Sequence, residues 1–414
     1  MKQLIIENID NSENLEKLYR DNKSDFGKSF AEISDDFDSE LVKFWKVRLA
    51  SETQIEPAGF MKLDLIIVVV LSLITGLLAK LPTIFPVINE DFFYSRDAAI
   101  IVFNGIILFV FWQNKIFQLK KILIYSATVI VLLLFVNLLP NQDSDSLLLV
   151  FIHTPLFLWC LFGLAYISFD FNNTAKRIEF IRFNGELLIM TGLILIAGGL
   201  LTAITVGLFS VIKYEVSEFY MEFIVIFGGV AAPIVSFYLI KLYPNITSKI
   251  APVIARVFTP LVLITLIIYL ISLIFSEAKI LDDRDLLIVF NALLLVVMAI
   301  IVFSVTELEK AKAKNNNVLI LFLLAVLTIV INTIALVAII SRVSNGFTPN
   351  RTVVLFSNIL IFINLILITR DLFRAYFKAE KLDVVEATVA KYLTVYAVYT
   401  IFVIFILPFI FNFN

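Results

Sequence analysis

From residue 64 onward the sequence is a series of apolar runs, each about the length of a membrane-crossing helix, separated by short charged stretches. A helix rises 1.5 Å per residue, so a ~30 Å hydrocarbon layer takes about 20 apolar residues to cross. The composition agrees. Hydrophobic residues make up 60% of the 414, where a soluble domain is about half apolar. The mean hydropathy is +0.96. This excess needs lipid as its solvent rather than a larger core. The expected fold is an all-α polytopic transmembrane bundle over residues 61–414, behind a short cytosolic helical head at 1–60.

The runs place about eleven spans, near 64–86, 97–113, 122–139, 146–168, 185–212, 219–240, 252–275, 286–306, 317–341, 351–369 and 388–411. The second is short, and the fifth is long enough to tilt or kink. The loop charges support this alternation independently, because Lys and Arg favour the cytoplasmic side. With the N-terminus inside, the inner segments hold nineteen Lys or Arg and the outer loops six. A missed or invented span would break the pattern from that point on. The expectation is a bacterial inner-membrane protein, N-terminus cytoplasmic and C-terminus outside, with the lipid bilayer as its first partner.

The head carries thirteen Asp or Glu against eight Lys or Arg. Its opening residues lack the basic start and apolar centre of a signal peptide. It is expected to form two short helices, the second over roughly 25–50. In that second helix Phe44 and Trp45 share a face beside Lys43, Lys46 and Arg48. Two readings stand: a helix lying on the inner headgroup surface, or a small cytosolic hairpin that meets a protein partner.

The chain has one cysteine, Cys160, and one histidine, His153. An intramolecular disulfide is excluded, and structural zinc, which needs several such ligands, effectively so. A histidine-dependent hydrolase would have to use His153 itself. The net charge of −2 argues against a nucleic-acid partner. No cofactor is expected.

Two outer loops carry a resemblance. One is KLPTIFPVINEDFFYSRD, from Lys80 to Asp97. The other is SRVSNGFTPNRTVVLFSNILIFINL, from Ser341 to Leu365, with the core Gly346-Phe347-Thr348-Pro349-Asn350-Arg351. They resemble a family of multi-pass bacterial membrane proteins known only as domain of unknown function 4153, in its Bacteroidetes-type branch. The resemblance implies location and architecture and names no activity. The Gly346–Arg351 step also reads as a tight turn, with Thr348 or Asn350 capping the next helix. Its other reading is a paired-arginine anion contact by Arg342 and Arg351.

Charged groups inside a membrane cost about 2.5–3.5 kcal/mol each, so they are the default site candidates. Lys80, His153 and Glu222 are expected at similar depth on the outer side, where they would form an ion-paired or proton-exchanging site. Lys80 snorkelling outward and His153 donating one structural hydrogen bond is the plainer alternative. Asn291, Asn332 and Asn358 are candidates for a polar cavity lining or for interhelical hydrogen bonds. Glu90, Asp91 and Arg96 are further outer-loop candidates. Gly198, Gly199, Ala203 and Gly207, with Gly228 and Gly229, read as close-packing positions.

Three functions fit this pattern. The first is a transporter or permease-like protein for an ion or small molecule. The second is a scaffold or sensor acting through residues 1–60. The third is a membrane enzyme on lipid-linked substrates, because Glu90 and Asp91 resemble the acidic first-loop pair of such glycosyltransferases. The first outer loop is short for that role.

Overall fold

The computed structural model describes residues 1–21, 23–53, 58–211, 217–243, 255, 259–268, 270–271, 284–308, 316–378 and 380–414. Among these residues the secondary structure is helical, without strands. The chain forms two compact units, Met1–Ile66 and Ile67–Asn414.

The first unit holds the helices Lys2–Glu7, Ser12–Asp21, Lys23–Ile33 and Glu40–Thr53. The single helix expected over 25–50 is broken at its middle. A 3-10 turn occupies Ser34–Asp36, and Phe37 is extended. Ser and Asp compete with the helix for backbone hydrogen bonds, and Ser34, Asp35, Asp36, Asp38 and Ser39 are crowded here. Ser39 Oγ then accepts from Val42 N at 3.3 Å and starts the last helix. Trp45 lies in the unit's own core, its ring 5.2 Å from Tyr19 and 5.0 Å from Phe26. Phe44 is 58% exposed, so the two aromatics do not share a face. Burying one such ring contributes on the order of 4–6 kcal/mol of gross apolar burial.

In the second unit, eight helices among the described residues are long and apolar enough to cross a membrane. They are Glu90–Gln113, Leu119–Leu138, Asp145–Tyr166, Thr174–Ala203, Tyr220–Leu242, Asn316–Val343, Pro349–Lys378 and Asp383–Phe405. Shorter apolar helices, Leu63–Ala79, Thr259–Ile268 and Asn291–Thr306, fall on the other three expected spans. The fold is therefore an all-α multi-pass membrane bundle. Arg256, and the loop lysines at 213, 249, 279, 310, 312 and 314, lie outside the described residues.

Helix ends differ from the hydropathy boundaries where capping sets them. Asn89 Oδ1 accepts from Phe92 N, so the second span begins at Glu90 rather than near 97. Asn173 Oδ1 accepts from Lys176 N, and the helix Thr174–Val211 runs 38 residues. Its first turns carry Lys176, Arg177 and Arg182.

Two principal cores hold the bundle. One joins Arg284–Thr306, Asn316–Val343, Pro349–Lys378 and Asp383–Phe405 through residues such as Ile301, Leu324, Leu365 and Val389. The other joins Glu90–Gln113, Asp145–Tyr166, Thr174–Val211 and Ile226–Leu242 through Phe109, Phe162, Phe183 and Phe237. The glycines at close approaches are Gly76, Gly105, Gly163 and Gly185. A Cβ at Gly198, Gly199, Gly228 or Gly229 would meet nothing within 4 Å. Among the described residues those glycines are thus not close-packing positions, and the surroundings of Gly207 lie outside the described set.

Candidate functional site

The first membrane helix stops at Ala79, and Lys80 forms the turn before the short helix Leu81–Ile84, which contains Pro82. Pro82 supplies no N–H and fits only the first turn of the new helix. Lys80 is thereby placed at the helix end with its side chain turned inward, 2% exposed. Its Nζ lies 3.9 Å from Glu222 Oε2 and 4.8 Å from the Phe223 ring centroid. A buried ammonium needs such partners, an opposite charge and the negative face of a ring.

Glu222 and Phe223 belong to a π-helical segment, Tyr220–Val225, that leads into Ile226–Leu242. A π segment carries about one extra residue per turn and is frequent at functional sites. Below the pair the same two helices meet at Gly76 and Phe227. Tyr94 closes the cluster by donating to Ala79 O at 3.1 Å.

His153 makes its contacts elsewhere. Its Nδ1 is 2.8 Å from Leu149 O, and its ring meets Tyr399 edge-on at 5.9 Å. The structure brings Lys80 and Glu222 together and puts His153 against the Asp383–Phe405 helix.

The three asparagines do converge. Asn358 Nδ2 donates to Asn291 Oδ1 at 2.9 Å, and Asn332 Nδ2 donates to Asn358 O at 3.2 Å. Asn332 and Asn358 are buried. Asn332 Oδ1 has no hydrogen-bond partner among the described residues.

The outer-loop candidates take up positions at helix ends. Arg96 is buried and donates to Val136 O, to Leu139 O at 3.1 Å and to Pro140 O at 3.1 Å. It lies over the Phe92 ring at 4.0 Å. These are carbonyls at the end of the Leu119–Leu138 helix, which that helix cannot pair itself. Glu90 and Asp91 occupy the first turn of their own helix, where the dipole favours negative charge.

Arg351 donates to Arg342 O at 3.0 Å and to Gly346 O at 2.9 Å. Thr348 Oγ1 accepts from Arg351 N. Gly346 has φ +119, which a side chain would strain. The Gly346–Arg351 step is accordingly a braced turn, with the Arg351 guanidinium engaged on its carbonyls.

Three buried acids stood outside the sequence reading of the site. Asp97 accepts from Asn137 at 2.8 Å. Asp371 has a side chain 0% exposed and accepts from Arg370 Nε at 2.8 Å and from Thr388 Oγ1 at 2.6 Å. Glu386 is buried on the next helix. The sequence signal of Asp371 is faint, because it falls beside Arg370 and reads as a solvated loop end.

At the far end of the bundle from Lys80 lies a small recess of about 40 Å³. Thr259, Ser304, Glu307 and Asn317 contribute its polar lining. Arg182 Nε stands 3.6 Å from Glu307 Oε1.

No family model matches this chain, and no curated protein or solved structure matches it. The architecture and the local chemistry therefore carry the functional reading.

Proposed function

We propose that this protein is a transporter or small-molecule-binding permease of the bacterial inner membrane, closed at one end by the Lys80–Glu222 contact. Membership in the family that its two outer loops resemble is part of the same proposal. The observation that supports it is a lysine 2% exposed whose acidic partner sits on a π-helical segment. A charge kept inside a membrane bundle costs free energy and is retained for function by default. The π segment gives that charge a way to move. Reverting it to α-helix would rotate Glu222 by about 100° relative to Ile226–Leu242 and separate the pair.

The test is thiol accessibility in a Cys160→Ser background. Ser72 lies two turns before Lys80, within the helix that ends at Ala79, and its Oγ is buried. A cysteine at Ser72 should resist a membrane-impermeant thiol reagent applied from the Lys80 end. It should react when Glu222→Gln opens the pair. Equal protection in both backgrounds would remove the gate from the proposal.

A further inference from the structure

A second polar feature runs along the interface between Pro349–Lys378 and Asp383–Phe405. It begins at Asp371, whose Oδ2 accepts from Thr388 Oγ1 at 2.6 Å. Arg370, half-exposed, also donates to this carboxylate, which places Asp371 within reach of the bundle's surface. From Thr388 the same face continues through Tyr392, Tyr396 and Tyr399, spaced four, four and three residues apart. That spacing keeps all four hydroxyls on one stripe. The stripe ends at His153, whose ring meets Tyr399. Eleven residues of helix carry it about 17 Å, more than half of a ~30 Å hydrocarbon layer.

Two of the tyrosines are anchored. Tyr392 donates to Leu360 O and Tyr399 to Val353 O. Tyr396 differs. It accepts from Asn364 Nδ2 at 2.9 Å, so its own proton is left to donate onward. Asn364 is buried, and its Oδ1 has no partner among the described residues. An undirected hydroxyl proton beside an unfilled amide oxygen is the pairing that one bound water completes, accepting from the first and donating to the second. The Tyr392 and Tyr396 rings lie 5.2 Å apart, which continues the stripe toward Thr388. Arg177 is the cation that faces it from the Thr174–Val211 helix, donating to Thr394 Oγ1 at 3.1 Å.

At the other end the tautomer follows from the contact. A carbonyl oxygen only accepts, so His153 Nδ1 carries the hydrogen toward Leu149 O, and Nε2 keeps a lone pair.

We propose that this stripe is a proton path between Asp371 and His153. Protonation forms an N–H bond at Nε2 and gives imidazolium. Release breaks that same bond and restores neutral imidazole. In between, each hydroxyl or water takes a proton on a lone pair as its own proton leaves, Tyr392 and Tyr399 turning away from Leu360 O and Val353 O to do so, and Asp371 receives or supplies the proton at the far end. No electrons are exchanged and no co-reactant is needed. The proposal goes beyond the transport reading, because the path is tested without any transported solute.

The test uses the full chain in lipid vesicles holding a pH-sensitive dye, with a potassium gradient and valinomycin setting the potential. The wild type is expected to pass protons faster than protein-free vesicles. Tyr396→Phe, which keeps the ring, and Asp371→Asn should each slow the flux roughly tenfold, the effect of about 1.4 kcal/mol on a barrier. Variants are compared at matched thermal stability, and Tyr392→Phe, which removes another hydroxyl of the path, should slow the flux likewise. A wild-type flux equal to that of protein-free vesicles overturns the proposal. So does unchanged flux in a stably folded Tyr396→Phe protein. Labelling at Ser72→Cys reads the gate separately, so either idea can fail alone.

Discussion

Asn358 Nδ2 donates to Asn291 Oδ1 across 2.9 Å, tying the helix Pro349–Lys378 to the helix Arg284–Thr306. Interhelical hydrogen bonds of this kind average about 0.6 kcal/mol and reach about 1.7. A double-mutant cycle with Asn291→Ala and Asn358→Ala should give a coupling in that range. Unfolding in mixed micelles would measure it, and zero coupling would show the contact to be energetically silent. Asn332→Ala is expected to be additive with Asn291→Ala, because Asn332 binds the Asn358 backbone carbonyl rather than its side chain.

Gly76 faces the Phe227 ring so closely that an added Cβ would stand 2.8 Å from the ring Cγ. The whole ring would have to shift. Gly76→Ala should destabilise by about 1–3 kcal/mol, the usual cost of overpacking. Adding Phe227→Leu should restore much of the loss. Failure of that rescue in thermal unfolding would show that the two helices meet differently.

Arg96→Lys is expected to behave like a loss rather than a conservative change. A guanidinium reaches three carbonyls at the end of Leu119–Leu138, and an ammonium lacks that planar spread. A loss of about 1.5–3 kcal/mol is expected, in line with hydrogen bonds to charged groups. Hydrogen exchange at residues 136–139 should rise before the rest of the bundle. Uniform exchange across the bundle would count against the capping role.

The head should weaken in acid. Hydrogen bonds from Arg48 and then Arg20 hold the Glu16 carboxyl below its ordinary value of 4.5. Lys46 does the same for Asp35, and Lys43 for Asp38, below 3.8. Folded-state values that are depressed mean the stabilisation is full above the unfolded values and is lost as pH falls through the folded ones. Fluorescence of Trp45 as sole tryptophan, after Trp112→Phe and Trp159→Phe, should therefore report loosening below about pH 4.5. Glu16→Gln should show a smaller acid dependence. These are surface pairs, so added salt should flatten the curve.

The helical spans were legible in the sequence because lipid demands long apolar runs, and those runs survive any choice of neighbour. Helix ends were less so. Lys80 sits in a continuous apolar stretch, yet the turn at Ala79–Leu81 takes it off the helix. The advance of the second span to Glu90 depends on one Asn89 side chain, which hydropathy does not see. Within the candidate site, type was readable and partnership was not. Lys80, Glu222 and the three asparagines stand out as polar residues in apolar surroundings. That Asn291 meets Asn358, and that His153 faces Tyr399 rather than Lys80, depends on how helices far apart in sequence rotate against one another. Asp371 was hidden for a different reason: its neighbour Arg370 makes the pair look like a solvated loop end.

The segment Tyr220–Val225 also has a consequence for how the chain tolerates change in length. It holds one residue of slack, so removing a single residue there lets the helix run on as α while Ile226–Leu242 keeps its register against the phenylalanine core. The same deletion inside Ile226–Leu242 would turn Phe237 and Ile240 away from their partners. Insertions and deletions along this helix should thus be accepted at one end only, and their boundary marks where the rigid part of the span begins.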